Sequence, residues 1–250
     1  MKRIIVLGAG YAGLEAAKGL HKKLRKQDDV EIMLIDQNDH HTLLTELHEV
    51  AGDRVEPSGV LVPLQHILQY TKVNFVQDRI SRADLAGKKL YSRDKIYSFD
   101  YLIVGIGSEP AFFDIPGLEE NAFTLWTLDD AKRIKRHIKG VFKQASEEKN
   151  DDKRRELLTI VVGGGGFTGV ETVGELIQWT KTLCREYGID YKEVKLVIAE
   201  KLPNILPSLT NKSTKKAVRY MEKRGVEILV NSGITEVTSR SVTLESGKTI

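Results

Sequence analysis

The sequence predicts an α/β fold made of two units, with parallel sheets and β-meanders, and three observations carry that prediction. A continuously apolar run, a glycine-rich turn and a stretch of helical periodicity follow one another near the start of the chain, at residues 4–27. The same succession returns at residues 157–187. After each, a further apolar run ends in an acid, Asp36 in the first case and Glu200 in the second. Continuously apolar strands belong to parallel sheets covered on both faces, and a pattern that recurs within one chain marks a repeated structural unit.

Taken in order, residues 4–7 form the first strand and residues 14–27 a helix with apolar and basic residues at helical spacing. Residues 31–36 form the second strand. Short helices are expected around residues 43–50 and 63–70, and strands at 73–80, 88–91 and 101–106. Asp84-Leu85-Ala86-Gly87 reads as the turn between the first two of these strands, giving a meander against the parallel sheet. Residues 107–117 hold two prolines and no period, and the domain crossing is placed there, dividing the chain into 1–112 and 113–250.

Thr127 is then expected to cap a helix whose apolar positions include Leu128, Ala131, Ile134, Ile138 and Phe142. The polar run 146–156 reads as a solvated loop. A strand at 157–162, a glycine-rich turn at 163–169, a helix at 170–187 and a strand at 194–200 repeat the opening. A helix at 211–224 and strands at 226–230, 234–237 and 242–244 complete the pattern.

Composition narrows the class. The chain has 250 residues, 41% hydrophobic and 29% charged, as in ordinary globular proteins. Lysine and arginine number 38 against 35 acids, a net charge of +3, which does not predict nucleic-acid binding. No apolar run approaches the roughly 20 residues needed to span a bilayer. Met1-Lys2-Arg3 leads straight into a buried-type strand, so no signal peptide is expected and a cytoplasmic protein is. The single Cys184 leaves no partner for an internal disulfide or redox pair, and its place late on a helix suits packing.

The turns carry the chemistry. In Gly8-Ala9-Gly10-Tyr11-Ala12-Gly13, Gly8 permits a tight turn out of the strand and Gly10 lets the backbone approach a pyrophosphate. Gly13 lets the helix pack closely on the sheet. The helix N-terminus offers N–H groups and partial positive charge to the phosphates. Asp36 stands near the usual distance for an acid that holds the adenosine ribose. The second turn, Gly164-Gly165-Gly166-Phe167-Thr168-Gly169, has Glu200 as its acid, further along than the rule of about 20 residues. A helix running to about Tyr187, followed by a loop at 188–193, accounts for that spacing. These are two Rossmann-like dinucleotide-binding domains. Two nucleotides in one chain imply hydride transfer, usually between a held flavin and an exchanging nicotinamide.

Longer segments carry a resemblance. Residues 6–13, Asn38-Asp39-His40-His41, Thr45-Glu46-Leu47-His48, residues 101–110 and Gly165-Gly166-Phe167-Thr168-Gly169-Val170-Glu171 together resemble type II NADH dehydrogenases. The resemblance covers essentially the whole chain and implies FAD in the first domain and NADH in the second. It implies hydride transfer to the flavin and then reduction of a membrane quinone, without proton pumping. It further implies a single-chain protein, peripheral on the cytoplasmic membrane face and often dimeric. On this resemblance Gly8, Ala9, Gly10, Tyr11, Ala12, Gly13, Asp36, Gln37, the backbone near Ile80 and Gly107 contact FAD. Gly164, Gly166, Thr168, Gly169 and Glu200 hold NADH, and Glu171 matches a carboxylate near the flavin and quinone.

The family continues past the equivalent of residue 250 with a second FAD segment and amphipathic membrane helices, so weak FAD retention is expected of this chain. Lys201 departs from the small apolar residue usual beside the acid. Glu171, placed in the first turn of its helix, could instead serve the helix dipole. The residues His40, His41, His48, Glu46 and Glu49 fit no standard zinc spacing, and a loop lining the flavin pocket is expected there rather than a metal. Two other functions stay open: a flavin reductase serving another carrier, and a non-catalytic nucleotide-binding module. Disulfide and sulfide:quinone reductases need cysteine pairs that this chain lacks.

Overall fold

The computed structural model describes residues 1–250. In the first part of the chain, strand β1 (Lys2–Leu7) leads to helix α1 (Tyr11–Leu24), β2 (Val30–Asp36) and the short β3 (His40–Thr42). Helix α2 (Leu47–Ala51), β4 (Leu61–Pro63), α3 (Leu64–Leu68) and β5 (Val73–Gln77) follow. Strands β6 (Arg82–Asp84), β7 (Lys89–Tyr91), β8 (Ile96–Ser98) and β9 (Tyr101–Val104) end this part. The remainder holds α4 (Leu118–Asn121), α5 (Leu128–Glu147), α6 (Asp151–Leu157), β10 (Thr159–Gly163) and α7 (Phe167–Tyr187). It closes with β11 (Lys195–Ala199), α8 (Asn211–Glu222), β12 (Val226–Leu229), β13 (Ile234–Val237) and β14 (Val242–Leu244).

The chain divides into two compact units, Met1–Leu43 with Ser58–Glu109, and Leu44–Pro57 with Pro110–Ile250. The sequence division at 112 kept residues 44–57 in the first part; they pack in the second unit, because α2 lies against α5 and α7. Leu47, Val50 and Ala51 are its buried residues. A five-residue helix has too little periodicity to reveal where its apolar face goes.

The first unit is a four-stranded sheet in the order β5-β2-β1-β9, parallel throughout. Alternate residues of its strands face opposite sides. Val6, Ile32 and Leu34 pack with Leu14, Ala17, Leu64 and Leu68 of the helices. Ile5, Met33 and Ile35 pack with Leu90 and Tyr97 of the antiparallel sheet β6-β7-β8 and with Phe99 just after it. Both faces are thus covered, which is why β1 and β2 show no polar alternation. The expected strand at 73–80 ends at Gln77: β5 stays in the parallel sheet, and the meander begins separately at Arg82. The turn at residues 84–87 therefore joins β6 to β7, with the Asp84 carboxylate accepting from the Gly87 N–H at 2.8 Å.

The second unit is a parallel sheet β10-β11-β12 with the antiparallel hairpin β13-β14. Phe142 and Ile138 of α5, Val173, Leu176 and Ile177 of α7, and Leu196 and Ile198 of β11 share one core. Cys184 lies in it, and burial pushes its thiol up from the ordinary value. Thr127 caps α5 through a capping box with Asp130, as expected. Helix α7 runs to Tyr187 and ends on Gly188 in the left-handed region, which sets the long spacing to Glu200. No helix is long and apolar enough to cross a membrane.

The run 146–156, expected to be a loop, is helical at both ends: Ser146 and Glu147 finish α5, and α6 begins at Asp151. Helix α6 is specified by its ends rather than by an apolar stripe. The Asn150 side chain accepts from the N–H groups of Asp152 and Lys153, at 3.1 and 3.0 Å. Asp151 and Asp152 occupy the first turn and Arg154 and Arg155 the last, each sign matching the dipole. Asn150→Ala is expected to cost about 1 kcal/mol, lowering the melting midpoint by about 2–4 °C; an unchanged calorimetric midpoint would show that the cap contributes nothing.

Candidate functional site: two phosphate cradles

Each unit carries one strand–turn–helix cradle, and the two agree bond for bond. Gly8 and Gly164 have φ of 98° and 102°, in the left-handed region that glycine reaches without strain. The Gly8 N–H donates to the Ile35 carbonyl at 2.8 Å, and that of Gly164 to the Ala199 carbonyl at 2.8 Å. Each turn is thereby tied to the neighbouring strand. The first helical bonds run from Leu14 to Gly10 and from Val170 to Gly166, both at 3.0 Å. A Cβ on Gly13 would lie 1.8 Å from the Gly8 carbonyl oxygen, and one on Gly169 would lie 2.0 Å from that of Gly164. Close packing of helix start on turn requires glycine at both places. The helices begin at Tyr11 and Phe167, three residues before the expected starts, because these packing glycines are helical themselves and mask the period.

The strand-end acids close the turns. Asp36 accepts from the Ala9 N–H at 2.6 Å and the Asn38 N–H at 2.8 Å. Glu200 accepts from the Gly165 N–H at 2.6 Å and the Leu202 N–H at 2.6 Å. Glu200 is buried, 9% exposed, and Asp36 is half-buried.

Whether these cradles fit dinucleotides can be tested on their own geometry. At Gly10 and Gly166 an added Cβ would meet nothing within 4 Å, so the space in front of each helix start is open. Helices α5, α6 and α8 have side-chain caps from Thr127, Asn150 and Thr210. Helices α1 and α7 have neither a side-chain cap nor an acid in the first turn. Positive helix ends left without a protein counter-charge suit a phosphate. The open, uncapped helix starts beside Gly8, Gly10 and Gly13 and beside Gly164, Gly166 and Gly169 therefore fit the pyrophosphate of a dinucleotide in each cradle.

Around the first cradle, Tyr11, Ala12, Gln37 and Gly107 are exposed and Ile80 is half-buried. Sequence reasoning missed two supports there. His41, 6% exposed, donates its Nδ1–H to the Ala9 carbonyl at 2.9 Å and meets the Tyr11 ring edge-on at 4.7 Å. Gly105 sits so close that a Cβ on it would lie 3.1 Å from the Gly13 Cα. A glycine after an apolar strand was the available signal for Gly105; His41 was marked only as part of a loop expected to line the flavin pocket, not as a support of the turn.

Glu171 is placed differently from expectation. It lies beyond the first turn of α7, so it is not a first-turn dipole partner, and it is exposed, its side chain 46% accessible. Its Oε2 stands 3.8 Å from Nδ1 of His48, on α2. Next to this pair, Arg54 bridges Glu49 and Glu175. Of the five residues weighed for a metal, His40 pairs with Asp39 and His41 supports the cradle. Glu46, His48 and Glu49 have potential ligand atoms within 4.8 Å of one another, but Glu49 is already engaged by Arg54.

Paired parallel-sheet units with matched cradles define a two-dinucleotide oxidoreductase fold. The chain belongs to the pyridine nucleotide-disulphide oxidoreductase family, whose model matches residues 2–250. It is 37% identical over 246 residues to the type II NADH:quinone oxidoreductase of Staphylococcus aureus, covering 98% of this chain. The chain spans 60% of the length of that relative. Among solved structures, NDH2 from Plasmodium falciparum in complex with NADH superposes with a TM-score of 0.87 at 20% identity, over all of this chain and 53% of the other. The sulfide:quinone oxidoreductase of Aquifex aeolicus superposes with a TM-score of 0.74 at 17% identity, over all of this chain and 56% of that one.

Proposed function

We propose that this chain is the dinucleotide-binding part of a type II NADH:quinone oxidoreductase, with FAD in the first cradle and NADH in the second. The observation that carries the reading is the pair of uncapped helix ends, each beside a glycine turn closed by a strand-end acid. The S. aureus relative supports the choice of NADH and quinone over other electron donors and acceptors. A bound flavin would supply the two-electron acceptor between nicotinamide and quinone. The chain's own work is binding and orientation. The N–H groups at the starts of α1 and α7 receive the pyrophosphates, and Asp36 and Glu200 accept hydrogen bonds from the ribose hydroxyls. Glu171 holds or passes the proton that quinone reduction consumes. The non-pumping reaction, the cytoplasmic peripheral membrane location, with residues 1–112 serving FAD and 113–250 serving NADH, and a homodimer are parts of the same proposal.

Two measurements test it. NADH added to the flavin-loaded protein is expected to bleach the flavin colour, and a soluble quinone to restore it. A protein that binds both nucleotides yet reduces only a protein carrier would be a flavin reductase instead. Second, Glu200 repels a 2′-phosphate, so NADH should be preferred over NADPH by at least about tenfold in kcat/KM, on the order of 1.4 kcal/mol. Equal specificity constants would remove Glu200 from the ribose site.

A further inference from the structure

Lys201 follows Glu200 directly, so a cation stands beside the acid that closes the second cradle. Its side chain is 76% exposed, and its ammonium lies 3.7 Å from Glu245 Oε1. Glu245 comes from the end of β14 and is fixed there: its N–H donates to the Gly233 carbonyl at 2.8 Å. The Gly233 loop is tied to the same strand end, since the Ser232 N–H donates to the Glu200 carbonyl at 2.8 Å. The Asn231 N–H likewise donates to the Leu202 carbonyl at 3.0 Å. Glu200, Lys201 and Glu245 therefore share one rim.

We infer that Glu245 is a specificity-determining residue of this cradle, holding the Lys201 ammonium and keeping it from serving a 2′-phosphate. This rests on the reading of the second cradle as an NADH site. With Lys201 paired to Glu245, the rim presents no uncommitted cation, while Glu200 and Glu245 both repel a phosphate dianion. Neutralising Glu245 removes one repulsion and releases the ammonium. The 2′-hydroxyl of NADH carries no charge, so its binding does not depend on the pair.

The test uses ADP-ribose and its 2′-phosphorylated counterpart, which lack the nicotinamide, so flavin and turnover do not enter. Calorimetric affinities are measured for the wild type, Glu245→Gln, and the double variant Lys201→Ala with Glu245→Gln. Glu245→Gln should tighten the 2′-phosphorylated ligand roughly three- to fivefold and leave ADP-ribose unchanged. The gain should shrink as salt rises, because the rim is solvated, and should fall below about twofold in the double variant, where only the repulsion by Glu245 has been removed. An unchanged ratio in Glu245→Gln, or an equal gain in the double variant, overturns the inference. Failure of the wild type to bind ADP-ribose overturns the NADH-site reading itself, which is a separate result.

Discussion

Gly166→Val will leave the fold standing and weaken NADH binding by more than about 100-fold, while Gly10→Val will do the same to FAD and spare NADH. Gly166 has φ −72° and ψ −174°, and Gly10 has φ −70° and ψ −173°, extended values that any residue adopts. A Cβ at either place meets no atom of the protein within 4 Å. Valine is a poorer N-cap than glycine, which costs about 1 kcal/mol of stability. Its methyl groups occupy the space where the pyrophosphate must come within hydrogen-bonding distance of the backbone. Losing two charge-assisted bonds at about 1.5–3 kcal/mol each exceeds the roughly 2.8 kcal/mol that a 100-fold change represents. Gly169→Val is the contrasting variant. Its Cβ would lie 2.0 Å from a backbone oxygen, so the turn itself must move and stability falls by about 1–3 kcal/mol or more. Melting midpoints and nucleotide affinities measured together separate the cases. Tight NADH binding by Gly166→Val would mean that the phosphates do not use this cradle.

Glu171→Gln is expected to slow quinone turnover by roughly 100-fold and to leave flavin reduction by NADH within about twofold. The figure is at the low end of the range of about 10²- to 10⁴-fold for a lost proton-transfer group. The reason is exposure: with 46% of the side chain accessible, water can take over part of the relay. Glutamine keeps the size and the hydrogen-bonding capacity and removes the charge and the proton. Hydride passes directly between nicotinamide and flavin, so the first half-reaction has no need of the carboxylate. Stopped-flow flavin reduction and steady-state quinone reduction on one preparation decide the matter. Two unchanged half-reactions would reduce Glu171 to a partner of His48. Slowing confined to flavin reduction would place it in NADH binding.

Both cradles were legible in the sequence because their chemistry demands glycine at fixed offsets from a strand, and an acid at the end of the next. Residues 8, 13, 164 and 169 are constrained by backbone approach and positive φ, which few other residue types satisfy. Helix α6 was not legible, because it is defined by Asn150 and terminal charges, and its polar surface resembles a solvated loop. Nor could the sequence show where α2 docks or that Glu171 faces solvent, because both depend on partners far along the chain. His41 belongs with these: its partner is a carbonyl, the Ala9 oxygen, and every residue has one.

The docking of α2 has a consequence for how the protein comes into being. Residues 44–57 leave the ribosome early, yet α5 and α7, the surfaces that bury Leu47, Val50 and Ala51, end at Glu147 and Tyr187. At a synthesis rate of about 5–20 residues per second, this segment waits on the order of ten seconds for its binding surface. Such long-range closure slows assembly relative to local contacts. During that interval the first unit must form around an excursion of its own chain that it does not bury. A gene cut between residues 109 and 110 would not yield two independent folding modules, since the downstream product would lack α2 and leave its seat on α5 and α7 bare.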